Sequence, residues 1–391
     1  MMIKLQDLKQ YESYIIKMRR EFHQYPERGF QEFRTSSIIK KELESFGFTI
    51  IEGIGVTGLI GILTGNEKGK TIALRADIDA LTMQEEIESE YKSQIDGMMH
   101  SCGHDTHTAM LLGAAKYFSE HRDEVNGTIK FIFQSAEEGP MPGGGSFVVN
   151  EGHIDDCDGV FGLHIVTRYK SGQIAIKKGP AMAAPDEFNI KIQGVGTHAS
   201  APNTGVDPVL VAAQVIQSLQ TITSRNIAPT DSAVVSVCTI NGGTAFNIIP
   251  EFVEMTGTIR TLKPAVRAYV FKRVEEIVHG ICELNGAKGF VEIIPAYPPL
   301  INNPEMSEFV LDIARKLLPS EQVVELTDPS MGGEDFSYYL ERKPGAYFWL
   351  GGWKPEDSVM AYNHNPKFDP DENAFLIGTM MHINIVKEFL K

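Results

Sequence analysis

Cysteine is scarce in this chain: only Cys102, Cys157, Cys238 and Cys282 occur in 391 residues. They show neither CxxC spacing nor the density of a disulfide framework, so a reducing, cytoplasmic setting is expected. No apolar run approaches the ~20 residues that a membrane helix needs. The stretch from Met1 to Thr49 mixes charged and apolar residues and has no apolar core or small-residue cleavage site of a signal peptide. No membrane partner is expected. Long Lys/Arg clusters are also missing, and 36 Lys+Arg against 51 Asp+Glu leave a formal net charge of −15. That balance argues against a nucleic-acid partner, which needs a basic patch to displace counterions.

With 42% hydrophobic and 22% charged residues, the chain can fill ordinary cores. Its length exceeds the size at which one core stops growing, which predicts two domains. Periodicity predicts an amphipathic helix from Leu5 to His23, broken at Pro26, and another from Ser36 to Phe46. Strands are then expected at Gly58–Leu63, Thr71–Ala76, Thr128–Gln134 and Gly159–His164. Helices at Thr106–Ser119, capped by Asp105, and at Gly144–Asn150 fall between them. This alternation implies an α/β domain with a mixed, largely parallel sheet flanked by helices.

Between Gly179-Pro180 and Tyr297-Pro298-Pro299 the rhythm changes to strand (Glu187–Gln193), helix (Pro208–Thr223), strand (Ala233–Asn241), strand (Phe252–Arg260), helix (Ala265–Asn285) and strand (Gly289–Pro295). A βαββαβ order is the ferredoxin-like plan. It reads as an inserted lid or dimerisation domain over 180–295, with 1–179 and 296–391 forming the catalytic domain. The first rhythm then resumes with helix Glu305–Leu318, the loop Met331-Gly332-Gly333, strand Ala346–Gly351, a loop holding His364 and a closing helix Glu372–Leu390.

Metal-ligating residue types gather beside these predicted strands. Asp77 and Asp79 follow Thr71–Ala76, Glu137 and Glu138 follow Thr128–Gln134, and His164 closes Gly159–His164. The functional crevice of an open α/β sheet lies beyond the carboxyl ends of its strands. Cys102-Gly103-His104-Asp105 and His364 add further donors. Two cations that activate one water are a general device for hydrolysing an inert bond, so a metal-dependent hydrolase is the reading we adopt. An isolated cysteine is more often a small buried hydrophobe, but Cys102 stands between His100 and His104 in a polar, glycine-containing loop. A Glu-Glu pair is normally solvated surface, yet this one directly follows an apolar strand. His23, His100, His107, His121, His153, His279 and His382 read as structural or supporting residues.

The strings MMHSCGHDTHTAMLLGAA, FQSAEEGPMPGG, FGLHI, GTHASAP, FNIIP, GTIRT and MGGEDFSYYL resemble the N-acyl-amino-acid amidohydrolases. That group includes hippurate hydrolases, auxin-conjugate hydrolases and N-acetyl-diaminopimelate deacetylases, and belongs with the aminoacylase and carboxypeptidase-G2-like dimetal peptidases. The resemblance runs nearly end to end. It implies two divalent ions (zinc, manganese, cobalt or nickel) bridged by Cys102, with His104 and His164 completing one site and Glu138 and His364 the other. Glu137 would bind no metal and serve as general base. Asp79 matches an aspartate that orients a metal-binding histidine in relatives carrying HxD; here Asp77 stands in place of that histidine.

The resemblance further implies that His198 polarises the scissile carbonyl, in relatives often from a partner subunit, so a homodimer or higher homo-oligomer through the lid is expected. Asn247, Arg260, Gly332 and Gly333 would hold a small N-acylated amino acid or peptide, with Arg260 able to grip its carboxylate. Dipeptidase or aminopeptidase-like action is the alternative within this chemistry. A Cys102 thiol hydrolase is disfavoured, because residues at i and i+2 do not readily form a nucleophile–base hydrogen bond and a metal-bound thiolate is a poor nucleophile. A two-domain binding protein with structural metals would have no use for an unliganded Glu137 beside closed sites.

Overall fold

The computed structural model describes residues 2–65, 67–354 and 360–391. The chain separates into two compact units, one of Met1–Gly179, Asn302–Asp328 and Asp335–Lys391, the other of Pro180–Ile301 and Pro329–Glu334.

The larger unit is built on an eight-stranded sheet. Its spatial order is Thr49–Ile54, Gly58–Thr64, Asn126–Gln134, Glu67–Asp77, Gly159–Lys170, Gly345–Trp353, Ile174–Ile176 and Val323–Glu325. The central strands Asn126–Gln134, Glu67–Asp77, Gly159–Lys170 and Gly345–Trp353 pair in parallel, and antiparallel strands flank them. Ile72 to Asp77 are all buried, the near-continuous run expected of a parallel strand covered on both faces. Helices Lys9–Gln24, Phe33–Ser45, His104–Glu120, Pro304–Leu317 and Phe375–Phe389 pack their apolar residues into one core with that sheet.

Some local expectations need correction. The helix expected from Thr106, with Asp105 as its cap, begins at His104 and is preceded by Gly103 at φ 98°. The Asp105 carboxylate lies inside the first turn, where it accepts from Arg19 Nε at 3.0 Å and contacts His23 Nδ1 at 2.7 Å. The strand expected to end at His164 continues to Lys170, because Gly345–Trp353 keeps pairing with it, Trp349 opposite His164. Its pairing with Glu67–Asp77 ends earlier, at Gly162. Leu5–Leu8 is a 3₁₀ turn ahead of the first helix, and strand Thr49–Ile54 and helix Ser337–Arg342 went unexpected.

The smaller unit is a four-stranded antiparallel sheet in the order Ala233–Gly242, Phe252–Thr261, Ala184–Gln193, Lys288–Ile294. With helices Pro208–Thr221 and Pro264–Leu284 it has the βαββαβ plan. Alternate residues Phe188, Ile190 and Ile192 turn inward to meet Val211, Val215 and Val274 of the helices.

Candidate metal centre

Glycine geometry shapes the Cys102 loop. Gly103 has φ 98°, and a Cβ there would fall 2.5 Å from Ile165 Cγ2, so any other residue would be both strained and obstructed. The turn sets Cys102 and His104 on either side of a close approach to the His164 strand. Cys102 Sγ lies 3.2 Å from His164 Nε2 and 3.3 Å from His364 Nε2. His364 itself has φ 63°, a conformation rare outside glycine. Its backbone N–H donates to Ser101 O at 2.8 Å, and Asn363 Nδ2 donates to Cys102 O and Ile165 O. These bonds over-determine the strained residue and pin its loop to the site.

Two donor groups therefore share one sulfur. Cys102, His104 and His164 offer ligand atoms within 4.8 Å of one another, and so do Cys102, Glu138 and His364. Glu138 Oε1 lies 2.9 Å from His364 Nε2 yet makes no hydrogen bond, and buried His104 Nε2 has none either. Unsatisfied buried polar atoms are costly, and these two converge with a thiol and two imidazoles. A divalent cation satisfies such a set, since carboxylate, imidazole and thiolate can each coordinate one.

The surrounding charges act on these donors. Asp79 Oδ1 lies 3.0 Å from His104 Nδ1 while its Oδ2 accepts from the Glu138 N–H at 2.9 Å, so one carboxylate orients both groups. Burial alone would depress His104, but Asp77 and Asp79 outweigh it and push the imidazole up to about 10. Burial, then the charges of Glu138, Glu137 and Asp77, hold the Cys102 thiol well above its usual range. A cation reverses both effects, favouring thiolate and neutral imidazole. Glu137 Oε2 stands 3.9 Å from His104 Nε2. Glu137 also falls within ligand distance of His104 and Glu138.

His198, Asn247, Arg260, Gly332 and Gly333 belong to the smaller unit. There His198 pairs with Ile248, its Nδ1 is 2.7 Å from Ser200 Oγ, and Ala199 N donates to Asn247 O, which brings His198 and Asn247 together. Arg260 lies on the central strand Phe252–Thr261, opposite Pro185 and Val234. Gly332 O accepts from Ala183 N, and a Cβ on Gly333 would meet Pro185.

Asp77, expected in place of a histidine, and His107, expected to be structural or supporting, are joined by Arg75 and Glu32, for which nothing was expected. Asp77, fully buried, takes Arg75 Nη1 at 2.6 Å and His107 Nδ1 at 2.6 Å, and His107 Nε2 accepts from the Ile165 N–H. Burial opposes ionisation of Asp77, but Arg75 and the two imidazoles prevail and hold it well below the usual carboxylate range. The spacing His104, His107, Thr108 could have revealed this, since i, i+3 and i+4 share one helix face, and Thr108 Oγ1 also reaches Asp77 O. Glu32, buried against Thr57 and Ala136, carried no local signal at all.

A mixed, largely parallel sheet that brings a thiol-centred set of metal donors beside a further carboxylate fits a metal-dependent amide hydrolase. The chain matches Peptidase family M20/M25/M40 over residues 73–388 and belongs to that family. It is 41% identical to thermostable carboxypeptidase 2 of Saccharolobus solfataricus, over 98% of this chain and 97% of the other. It is 40% identical to N-acetyl-L-cysteine deacetylase of Bacillus subtilis, over 97% and 89% respectively. Among solved structures, the Bacillus subtilis YXEP protein, a dinuclear metal binding peptidase from the M20 family, aligns with TM-score 0.85 and 34% identity, covering 98% of this chain and 99% of that one.

Proposed function

We propose that the protein hydrolyses the amide of N-acyl amino acids or related small conjugates, using two divalent ions per chain. The observation that carries this reading is the sharing of Cys102 Sγ between two donor groups with Glu137 alongside. Cys102, His104 and His164 would hold one ion, and Cys102, Glu138 and His364 the other. Bound there, the ions would supply Lewis acidity to the reaction. Glu137 takes a proton from the water as its oxygen attacks the amide carbon, then delivers that proton to the nitrogen as the C–N bond breaks. A carboxylate and an amine leave. Asp79 keeps His104 and the Glu138 backbone in place.

His198 is proposed to donate to the carbonyl oxygen as charge develops on it, and Asn247, Arg260, Gly332 and Gly333 to hold the substrate, Arg260 at its carboxylate. We further propose a homodimer formed through the smaller unit. Fully exposed Phe246 and half-exposed Ile248, flanking Asn247, support it as apolar surface that association would cover. Four free cysteines are in keeping with a reducing cytoplasm. The relatives, a carboxypeptidase and a deacetylase by name, support amide hydrolysis and leave the acyl group open.

The deciding assay is a panel of N-acetyl, N-benzoyl and N-indoleacyl amino acids and dipeptides, each with zinc, manganese, cobalt and nickel. Metal-dependent turnover of acyl amino acids is expected. Cleavage confined to dipeptides would favour the peptidase alternative instead.

A further inference from the structure

Glu32 is completely buried, 0% exposed, and lies at the N-cap of the helix Phe33–Ser45, where a side-chain oxygen could accept from the helix's first N–H groups. It makes no such bond. Glu27 substitutes, accepting from Arg34 N at 3.0 Å and Thr35 N at 2.8 Å. The Glu32 carboxylate is turned elsewhere: Oε1 accepts from the backbone N–H of Ala136 at 2.8 Å, and Oε2 from Thr57 Oγ1 at 2.5 Å.

Ala136 immediately precedes Glu137. It has φ 50°, a left-handed conformation that an alanine adopts only when its surroundings impose it. Its carbonyl accepts from Gly144 N at 3.1 Å, so Glu32 and Gly144 hold the two polar ends of this one residue. The loop bearing Glu32 is sealed onto the same elbow, because a Cβ on Gly29 would fall 2.0 Å from Gly139 O and 2.9 Å from Ala136 Cβ. On the far side of Glu137, the Glu138 N–H is held separately by Asp79.

We infer that Glu32 is a positioning residue for the general base: by clamping the Ala136 N–H it locks the left-handed turn that orients Glu137, while Asp79 independently orients the metal-binding Glu138. The inference rests on the reading of Glu137 as the base. Accepting from an N–H needs an oxygen and not a charge. Burial, then the nearby Asp79 carboxylate, pushes Glu32 up to about 7, in keeping with a role that either protonation state can serve.

The test uses the full-length, metal-loaded enzyme, with kcat referred to folded chains whose two-ion content is verified. Removing the clamp shifts a catalytic group by a fraction of its reach, and displacements of that order cost up to ~10²-fold. Glu32→Ala is therefore expected to lower kcat ~10- to 100-fold, with KM and metal content near wild type. Glu32→Gln, whose amide oxygen still accepts from Ala136, should recover most of that loss. In a Glu137→Gln background, Glu32→Ala should cost nothing further, since groups acting as one unit are not additive. Should Glu32→Ala fail to fold, Thr57→Val loosens the same carboxylate and should lower kcat several-fold with metal retained. Wild-type kcat in Glu32→Ala, or in Thr57→Val where that variant must serve, overturns the inference. So does loss of metal in step with activity, or a full additional loss beside Glu137→Gln. Full turnover by Glu137→Gln alone would mark a different failure, that of the base assignment itself.

Discussion

The larger unit holds Arg75, Asp77, His104, Asp105 and His107 at 1% exposure or less, whereas the smaller unit leaves His198 open to solvent beside a fully exposed Phe246. Buried charge survives only in networks, and every one of those five groups has a charged or imidazole partner: Arg75 and His107 on Asp77, Arg19 and His23 on Asp105, Asp79 on His104. In the smaller unit, Asp186 is fully buried and paired with Arg267, where it ties strand to helix. The two units use polarity differently: one fixes candidate metal donors in a buried network, the other leaves polar side chains on an exposed edge.

The comparison predicts that metal removal has the largest effect. Chelation should abolish turnover, and Cys102→Ser should lower occupancy of both ions together, because both donor groups use its sulfur. Metal analysis by mass spectrometry beside the activity assay checks this, and full activity in stripped protein would end the metal reading.

Glu137→Gln should come next, losing ~10²–10⁴ in kcat with metal content unchanged, while Glu138→Gln should lose metal. Equal metal loss in both variants would erase the distinction between ligand and base.

For the exposed edge, His198→Ala should cost ~10²–10³ in kcat without touching metal binding. Co-expression with Glu137→Gln chains should restore part of the activity if His198 acts across a dimer. No rescue from two dead single variants would mean that each chain completes its own site.

The smallest effect is on stability. Glu32 is pushed up to about 7, above the ~4.3 of an unfolded glutamate, so the folded chain binds this proton more tightly. Its contribution to stability is therefore present below ~4 and lost as pH rises toward 7. In metal-stripped protein, thermal unfolding of Glu32→Gln should fall less than wild type between pH 5 and pH 8, by about 1–3 kcal/mol. Parallel pH profiles would show that Glu32 titrates normally.

Much of this was legible in order along the chain. Apolar runs and their spacing were enough for the central strands, since Thr128–Gln134 and Thr71–Ala76 sit within the observed Asn126–Gln134 and Glu67–Asp77. The βαββαβ alternation was equally readable. The Asp105 cap misled because a capping signal is local, while the partners of that carboxylate, Arg19 and His23, are 86 and 82 residues away. His164 misled in a similar way: its strand continues because of a pairing with Trp349 that no window around His164 contains.

Residue chemistry by itself therefore determined the kinds of donor present, thiol, imidazole and paired carboxylates, and which strands and loops carry them. Local periodicity and turn residues encode that much because they act over a few residues. Only the tertiary structure decided that Cys102 Sγ meets His164 and His364 across 62 and 262 positions. It also decided that Asp77 serves His107, and that Glu32 forsakes its own helix for Ala136, 104 positions away. Those choices arise where a buried polar atom must find a partner, and the partner nearest in space is set by packing rather than by sequence order.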